Sequence, residues 1–401
     1  MDRPLRIGIV GCGRILPAHL HGYKALLDSG ATGFEIVALC ARKQEDVDRF
    51  LRPGGPAPRP PLTENSNDPL NAPHLYLTDL FPATEARGWT DSHAMIEAGG
   101  LDVVDVTATV SAHHPVALHA LSKGMHVMVQ KPIARTVLEA REMVHAADTA
   151  ERALGVMENV HFDPTVMMER WLVESGRLGA VQMVMGAYLG THQWSPSRVV
   201  ADTPWRHRKE AAGGGISIDL GVHFFQHLRR VCGPISRVSG VVRTIEPVRY
   251  LRTGDGTEEV TADVDDAMFC HVEFAAGGVA SISASWAGHG PPTSLPGGLV
   301  IYGGRGSLHG GVVHLDGEAP TPLGEYFARH ATEDERQAIF PLGLRDSFAL
   351  VYLDYLRAIE TGRKPSYDGL EGLMDLALSF AVIESSERHA AVTIAEAVEL
   401  Q

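Results

Sequence analysis

The stretch Leu5-Arg6-Ile7-Gly8-Ile9-Val10-Gly11-Cys12-Gly13-Arg14-Ile15 decides the fold. Its first six residues are typical of a buried parallel strand, and a helical pattern follows to about Leu27. Gly11 permits a tight turn, and Gly13 lets a pyrophosphate approach the backbone where the helix amides attract anions. Because Leu16 replaces the third glycine of the dinucleotide-binding pattern, a tight turn without a ligand is the alternative. The position of the motif between a strand and a helix favours the dinucleotide site.

A second predicted strand, Phe34–Cys40, ends at Ala41-Arg42-Lys43 and bears on the choice of cofactor. An acidic residue at this point would bind the ribose 2′-hydroxyl of NAD. None is present, and two cations stand just beyond the strand, where they would suit the 2′-phosphate of NADP. Basic residues after a strand are also common on plain surfaces, so the sequence leans only weakly towards NADP over NAD.

The run Val127-Met128-Val129-Gln130-Lys131-Pro132 predicts a buried strand that ends abruptly. The carboxyl ends of the strands line the ligand crevice of an open α/β sheet, so Lys131 is predicted to point into that crevice. A surface lysine at a strand end is the alternative. Residues 1–158 are predicted to form a doubly wound parallel sheet, an α/β Rossmann domain that binds a dinucleotide, with further strands at Leu101–Val106 and Leu154–Met157.

The sequence pattern changes after about residue 160. Residues 159–401 are predicted to form an α+β domain for substrate binding and oligomerisation, with a large, mainly antiparallel, open-faced sheet. Its apolar strands are predicted at Val181–Tyr188, Val238–Thr244, Met268–Phe274, Val279–Trp286 and Leu299–Tyr302. The last segment, Phe348–Glu384, reads as helix broken near Gly362.

Residues 51–87 are rich in proline, glycine, asparagine and serine and are longer than an ordinary connection. A surface insertion explains this segment most simply. The functional alternatives are a cover over the adenosine end of the cofactor or a contact with a neighbouring subunit.

Composition excludes several classes of protein. The 401 residues carry a net charge of −14, which argues against a nucleic acid or an anionic membrane as partner. The four cysteines are scattered, so neither a disulfide framework nor a zinc site is expected. The N-terminus leads directly into a strand, which predicts no signal peptide, and no apolar run reaches membrane-spanning length. A cytoplasmic protein is the expectation.

The stretch from Gly213 to His223 is the second informative part of the sequence. Three successive glycines, 213–215, let a helix start approach another backbone or a ligand. Asp219 and His223 are four residues apart, so one helix face is predicted to carry both, an arrangement that can set a general base. A core histidine is the alternative for His223, and a metal face that includes His227 is a second one. Upstream, Arg206 is a weaker candidate for a contact with the cofactor or the substrate.

These motifs together resemble the Gfo/Idh/MocA family, which includes glucose–fructose oxidoreductase and inositol dehydrogenase. The matching elements are the glycine turn, the loop Thr107–His113, the Gln130-Lys131-Pro132 run, the glycines with Asp219 and His223, and Asp266 with the strands that follow. The resemblance covers nearly the whole chain except the insertion at 51–87. Two departures are Gln130, where the family usually has glutamate, and Gln226, where an aspartate is common.

The resemblance implies a nicotinamide cofactor, a polyol or sugar substrate, and a homodimer or homotetramer that pairs through the open sheet face. It implies that Lys131 and His223 are the catalytic pair, with Asp219 assisting. No metal ligands are predicted. Substrate contacts are expected from these three residues and, at the end of the strand Leu154–Met157, from Asn159 and His161. Cofactor contacts are expected from Gly11, Gly13, Arg14, Ile15, Ala41, Arg42, Lys43, Thr107, Ala108, His113, Gln130, Lys131 and Arg206.

The sequence therefore predicts an NAD(P)-dependent oxidoreductase that acts on a secondary hydroxyl of a sugar, cyclitol or glycoside. One alternative is a redox-neutral enzyme that holds its cofactor tightly and oxidises a sugar transiently, as a lyase or glycosidase would. The other is a non-catalytic regulator that senses nucleotides. Retention of Lys131, Asp219 and His223 argues against the regulator.

Overall fold

The computed structural model describes residues 3–61, 65, 68–190, 204–253, 256–288, 291–295 and 298–400. The chain divides into two compact units. The first comprises Met1–Ala134, Glu139–Phe162 and Leu342–Gly372, and the second comprises Arg135–Leu138, Asp163–Pro341 and Leu373–Gln401. The division into two domains near residue 158 stays a prediction, and Leu342–Gly372 is a contribution to the first unit that the sequence did not suggest.

The first unit contains a six-stranded parallel sheet in the order β3-β2-β1-β4-β5-β6. The strands are β1 (Leu5–Val10), β2 (Phe34–Cys40), β3 (Arg87–Trp89), β4 (Val103–Val106), β5 (His126–Gln130) and β6 (Leu154–Met157). The first six helices are α1 (Leu16–Asp28), α2 (Gln44–Leu51), α3 (Leu77–Leu80), α4 (Ser92–Glu97), α5 (His113–Ser122) and α6 (Val137–Ala150). The predicted doubly wound Rossmann architecture is confirmed.

The remaining helices follow along the chain. They are α7 (Pro164–Glu174), α8 (Lys209–Ala212), α9 (Ile216–Asp219), α10 (Gly221–Cys232), α11 (Leu323–His330), α12 (Glu333–Ile339), α13 (Ser347–Thr361), α14 (Gly369–Arg388) and α15 (Ile394–Ala397). Short 3-10 turns lie at Pro69–Asn71, Val110–Ala112, Asn159–Phe162, Pro204–His207 and Pro341–Gly343. No helix in the described part of the chain is long and apolar enough to cross a membrane.

Helix α13 joins the first unit through close packing against α1. A Cβ added to Gly22 of α1 would lie 2.7 Å from Cβ of Phe348 on α13, so only glycine permits this approach. The strand side chains beside these helices, among them Ile7, Ile9 and Val104, are almost fully buried. This packing fixes α1, which begins directly after the glycine turn.

The second unit contains a large mixed sheet in the order β17-β16-β15-β14-β7-β12-β11-β8-β18, with β13 also paired to β7. Its strands are β7 (Val181–Leu189), β8 (Ile235–Arg243), β11 (Ala267–Phe274), β12 (Val279–Ser285), β13 (Thr293–Ser294), β14 (Val300–Gly303), β15 (Gly306–His309), β16 (Val312–Leu315), β17 (Thr321–Pro322) and β18 (Val392–Thr393). Strands β9 (Val248–Thr253) and β10 (Gly256–Thr261) form a separate hairpin. Among the described strands of this sheet, only β7 and β12 pair in parallel, so the predicted mainly antiparallel sheet is confirmed.

One face of this sheet carries exposed apolar side chains among polar ones, since His271 and Glu273 of β11 alternate on the same side as Phe269. Met183 of β7 is 51% exposed and pairs in register with Val279 on β12 and Tyr302 on β14. Phe269 on β11 is 48% exposed and pairs with Val241 on β8. The intervening residues of these strands are buried on the other face. We call these five apolar side chains, with Met185, the open sheet face.

Candidate functional site

The turn between β1 and α1 has the geometry that the glycines predicted. Gly11 has φ +121°, and an added Cβ would lie 2.4 Å from the backbone nitrogen of Ala108. The hydroxyl of Thr107 donates to the carbonyl of Gly11 over 2.5 Å, so the ends of β1 and β4 are joined. At Gly13, by contrast, an added Cβ would meet no heavy atom within 4 Å. The backbone of Gly13 therefore faces open space at the start of α1.

The start of α1 is suited to an anion. Its N-cap residue, Ile15, provides no side-chain hydrogen bond to the first turn, and no acidic residue lies in that turn. The amide dipoles at a helix N-terminus carry partial positive charge. Together with the space beside Gly13, this geometry fits a dinucleotide pyrophosphate, and Gly11, Gly13, Arg14 and Ile15 are the residues that would hold it.

The end of β2 presents basic side chains. Arg42 and Lys43 are exposed, and they follow Ala41, which offers no carboxylate. Residues 52–61, the first part of the predicted insertion, return towards the glycine turn. Within them the guanidinium of Arg59 donates to the carbonyl of Cys12 over 3.3 Å and pairs with Asp46 of α2.

A second contact ties the same segment to the turn, because Arg14 donates to the carbonyl of Pro60 over 2.9 Å. The segment also packs against α2, where an added Cβ at Gly55 would lie 2.5 Å from the carbonyl oxygen of Asp48. Residues 62–64 and 66–67 of the predicted insertion lie outside the described residues, and its last residue, Arg87, begins β3.

His113 connects the loop after β4 with the chain that follows β5. Its Nδ1 lies 3.0 Å from the carbonyl oxygen of Pro132, and its Nε2 lies 3.2 Å from that of Ala108. The ring is buried, and burial lowers the pKa of His113. A neutral imidazole has one N–H, so His113 can donate to only one of these two carbonyl groups at a time.

Lys131 directly follows the last residue of β5, as the sequence predicted. The side-chain carbonyl of Gln130 accepts a 2.6 Å hydrogen bond from the backbone N–H of Lys131. Both residues are partly exposed at the carboxyl edge of the parallel sheet. This is the edge at which ligands bind in open α/β sheets.

The two substrate candidates after β6 differ in exposure. Asn159 is half-buried at the start of a 3-10 turn. His161 is 5% exposed, and its ring packs against Phe162 and Tyr367 at centroid distances of 4.8 and 5.1 Å. Asn159 is therefore the more accessible of the two.

In the second unit, three glycines allow close backbone contacts. Added Cβ atoms at Gly213 and Gly215 would lie 2.2 Å from the carbonyl oxygen of Arg135 and 1.7 Å from that of Asp265. The Asp265 carboxylate accepts hydrogen bonds from the backbone N–H groups of Gly215 and Ser217 and from the Ser217 hydroxyl, at 2.8 to 3.0 Å. Burial raises the pKa of Asp265 despite these hydrogen bonds. Asp265 thus fixes the start of α9.

Asp219 and His223 do not lie on one continuous helix. Asp219 ends α9, Leu220 separates the helices, and His223 lies in the first turn of α10. The predicted single helix is divided at Leu220, whose φ of −101° and ψ of −27° stay in the right-handed helical region, and a common face for Asp219 and His223 stays a prediction. Arg206 approaches Asp219, with 4.0 Å between Nε and Oδ2, and lies over the ring of Trp205.

His227 pairs with a buried glutamate of α7 and does not form a metal site with Asp219 and His223. Its Nε2 contacts Oε2 of Glu169 over 2.5 Å, and Glu169 is fully buried on α7. In the described part of the chain, no group of three or more histidine, cysteine or acidic side chains could hold a metal ion. The spacing of 223 and 227 reflects packing of α10 on α7.

Family comparisons agree with this geometry. Residues 5–158 match the model described as the oxidoreductase family with an NAD-binding Rossmann fold, and residues 168–309 match the GFO/IDH/MocA C-terminal domain. The chain belongs to the Gfo/Idh/MocA family. This Gfo/Idh/MocA protein is accordingly an oxidoreductase with an NAD-binding Rossmann domain.

Individual relatives of the Gfo/Idh/MocA protein act on sugars according to their names. Levoglucosan dehydrogenase of Pseudarthrobacter phenanthrenivorans is 28% identical over 55% of this chain and 57% of its own length. The 1,5-anhydro-D-fructose reductase of Ensifer adhaerens is 27% identical over 71% of this chain and 78% of its own. A levoglucosan dehydrogenase structure with NADH and L-sorbose superposes with a TM-score of 0.74 and 22% identity, over 98% and 99% of the two chains. That structure supports the fold.

Sequence reasoning missed two residues that shape these sites. Asp265 caps α9, and its only sequence signal is its place in the acidic run 263–266. Arg59 reaches the glycine turn from the insertion, where a single arginine among prolines gave no signal.

Proposed function

We propose that this protein oxidises a secondary hydroxyl of a sugar, cyclitol or glycoside and passes the hydride to C4 of a nicotinamide. The observation that carries the proposal is the β1–α1 turn, closed at Gly11 and open at Gly13, in a chain of an oxidoreductase family. The names of the relatives support a sugar as substrate.

We assign the chemical roles as follows. His223 takes the hydroxyl proton during oxidation, Lys131 donates a hydrogen bond to the same oxygen, and Asp219 orients His223 or holds another hydroxyl. The hydride leaves the carbinol carbon for the nicotinamide, and the proton leaves the oxygen for His223, so the step balances. Positioned proton transfer contributes roughly 10²–10⁴-fold to the rate. Asn159 and His161 complete the set of proposed substrate contacts.

We propose NADP as the preferred cofactor and NAD as the alternative. Support comes from the exposed Arg42 and Lys43 beside Ala41. Guanidinium groups bind phosphate through charge-assisted hydrogen bonds. Thr107, Ala108, His113, Gln130 and Arg206 are further proposed contacts of the cofactor.

We propose that two copies pair through the open sheet face to form a homodimer or a homotetramer. Exposed apolar side chains grouped on one face of a sheet commonly mark an interaction site. Phe269, Met183 and Met185 of this face are each about half exposed. A reducing compartment such as the cytoplasm is proposed because all four cysteines are free thiols.

The test combines a sugar panel with each cofactor. Purified protein is mixed with levoglucosan, D-xylose, D-glucosides or inositols and with NAD or NADP, and reduced nicotinamide is followed by absorbance while sugars are followed by chromatography. Matched formation of reduced cofactor and oxidised sugar supports the proposal. Consumption of a sugar without net cofactor reduction would support the redox-neutral alternative instead.

A further inference from the structure

A chain of hydrogen bonds runs through the interior of the first unit and ends at the backbone of Lys131. The hydroxyl of Tyr352 donates to Oδ2 of Asp105 over 2.6 Å, and the same hydroxyl lies 2.5 Å from Nδ1 of His19. On the other side of the ring, Nε2 of His19 lies 3.0 Å from Nε2 of Gln130, whose carbonyl accepts from the backbone N–H of Lys131. His19, Tyr352 and Asp105 are at most 1% exposed.

The direction of every hydrogen bond in this chain follows from its first member. Burial raises the pKa of Tyr352 well above its usual value, so the phenol keeps its proton. That proton is donated to Asp105, and the Tyr352 oxygen can therefore only accept from His19. Nδ1 of His19 must carry a hydrogen, which leaves Nε2 of a neutral ring as an acceptor.

Only one orientation of the Gln130 side-chain amide satisfies both of its hydrogen-bond partners. Its amide N–H₂ group donates to Nε2 of His19, and its carbonyl accepts from Lys131. If His19 were doubly protonated, its Nε2–H would face the N–H₂ group of Gln130, and two donors would oppose each other. Rotation of the amide would instead place the N–H₂ group against the backbone N–H of Lys131.

We infer that Asp105, Tyr352 and His19 are positioning residues that act through Gln130 to hold the Lys131 backbone, with His19 as the neutral Nδ1–H tautomer. Gln130 is the residue that sets this state, because a carboxylate at position 130 could not donate to the ring. The titratable groups that face His19 are Tyr352 and Asp105, whose Oδ2 lies 3.8 Å from Nδ1, and Tyr23 and Tyr355 face Asp105. The role in turnover rests on the proposed function of Lys131.

Two tyrosines give a matched test. Tyr23 and Tyr352 are both buried, their rings are stacked at 3.8 Å, and both hydroxyls donate to Oδ2 of Asp105, at 3.0 and 2.6 Å. Only the Tyr352 hydroxyl also contacts His19. Tyr352→Phe should lower kcat about tenfold, the effect of one lost hydrogen bond of ordinary strength, with KM for cofactor nearly unchanged. Tyr23→Phe should stay within about twofold of the wild-type kcat although it removes a similar bond.

A charge at position 130 tests the tautomer. In Gln130→Glu, the carboxylate requires a donor from His19, so the ring should take up a second proton. The kcat of this variant relative to wild type should then fall as pH rises and the second proton is lost. Gln130→Glu also serves if Tyr352→Phe does not fold.

Nitrogen NMR of full-length protein labelled with ¹⁵N-histidine reads the tautomer without any substrate, with His19→Asn identifying the signals. The inference predicts a neutral His19 with hydrogen on Nδ1 in wild type and protons on both nitrogens in Gln130→Glu. An Nε2–H or doubly protonated His19 in wild type overturns it, and so do equal losses of kcat in the two tyrosine variants. If no sugar were oxidised by wild type, the proposed function would fail while NMR would still decide the tautomer.

Discussion

Gly13 and Gly11 offer a direct test of the dinucleotide site, because the structure predicts opposite effects for the same substitution. Gly13→Ala places a methyl group in open space, since nothing lies within 4 Å of it, and Gly13 is not among the glycines with positive φ. The free energy of unfolding should therefore change by no more than about 0.5 kcal/mol. In Gly11→Ala, the new Cβ would lie 2.4 Å from Ala108 at φ +121°, and a loss of about 2–3 kcal/mol or more is expected.

Although Gly13→Ala should leave the stability nearly unchanged, it should weaken cofactor binding. If a pyrophosphate approaches this backbone, the methyl group overpacks the site at a cost of about 1–3 kcal/mol. That cost corresponds to roughly 5- to 150-fold in Kd, given about 1.4 kcal/mol for each factor of ten. Isothermal titration with NADP and NAD measures the affinity, and urea unfolding of the cofactor-free protein measures the stability.

Two results would refute this reasoning. Wild-type affinity in Gly13→Ala would show that the pyrophosphate does not approach Gly13. A stability loss in Gly13→Ala as large as that of Gly11→Ala would show that the turn has a different backbone conformation.

Three further predictions concern cofactor choice, assembly and acid stability. Arg42→Asp should weaken NADP binding about 10- to 100-fold and NAD binding much less, as titration would reveal, because it removes a charged hydrogen bond to the 2′-phosphate; equal effects on both cofactors would contradict this. Phe269→Asp on the open sheet face should reduce the mass by light scattering to that of a monomer, whereas Leu370→Asp, a similarly exposed control at 47%, should not. Burial lowers the pKa of His207 to about 4, so the folded state binds fewer protons than the unfolded state between about pH 4 and 6.5, and stability is lost as pH falls through that window. From about pH 7 to about pH 5 this histidine alone should account for a loss of about 2 kcal/mol in urea unfolding, so the loss in His207→Gln should be smaller than that of the wild type by about this amount; an equal loss in the two proteins would exclude His207 as a cause.

Local pattern was sufficient to predict the parallel sheet and the position of Lys131. The runs that become β1, β2 and β5 are mainly apolar, with Arg6 and Glu35 as the charged exceptions inside β1 and β2. Such strands are buried on both faces, so the pattern needs no knowledge of distant contacts. The glycine turn was predictable for the same reason, since strand, turn and helix are adjacent in sequence.

Contacts between distant segments were not predictable. The segment Leu342–Gly372 joins the first unit because Phe348 packs against Gly22. No local pattern in the sequence indicates that these two distant residues are in contact. His227 pairs with Glu169 from α7, so its spacing from His223 suggested a metal face that packing explains better. Two helices, divided at Leu220, likewise stand where one helix was predicted to carry both Asp219 and His223.

The central claim is that Lys131 and His223 perform the proton and hydrogen-bond chemistry of a dehydrogenase, and single substitutions test it most directly. On the sugar that the panel identifies, turnover of Lys131→Ala and His223→Ala is measured beside cofactor affinity, with Lys24→Ala, an exposed lysine paired with Asp28, as the control. The account predicts a loss of roughly 10²-fold or more in kcat for both variants, unchanged cofactor Kd and a normal control. The double variant should be little worse than the worse single one, because residues that act as a unit are not additive. Near-normal turnover in either single variant would contradict the account.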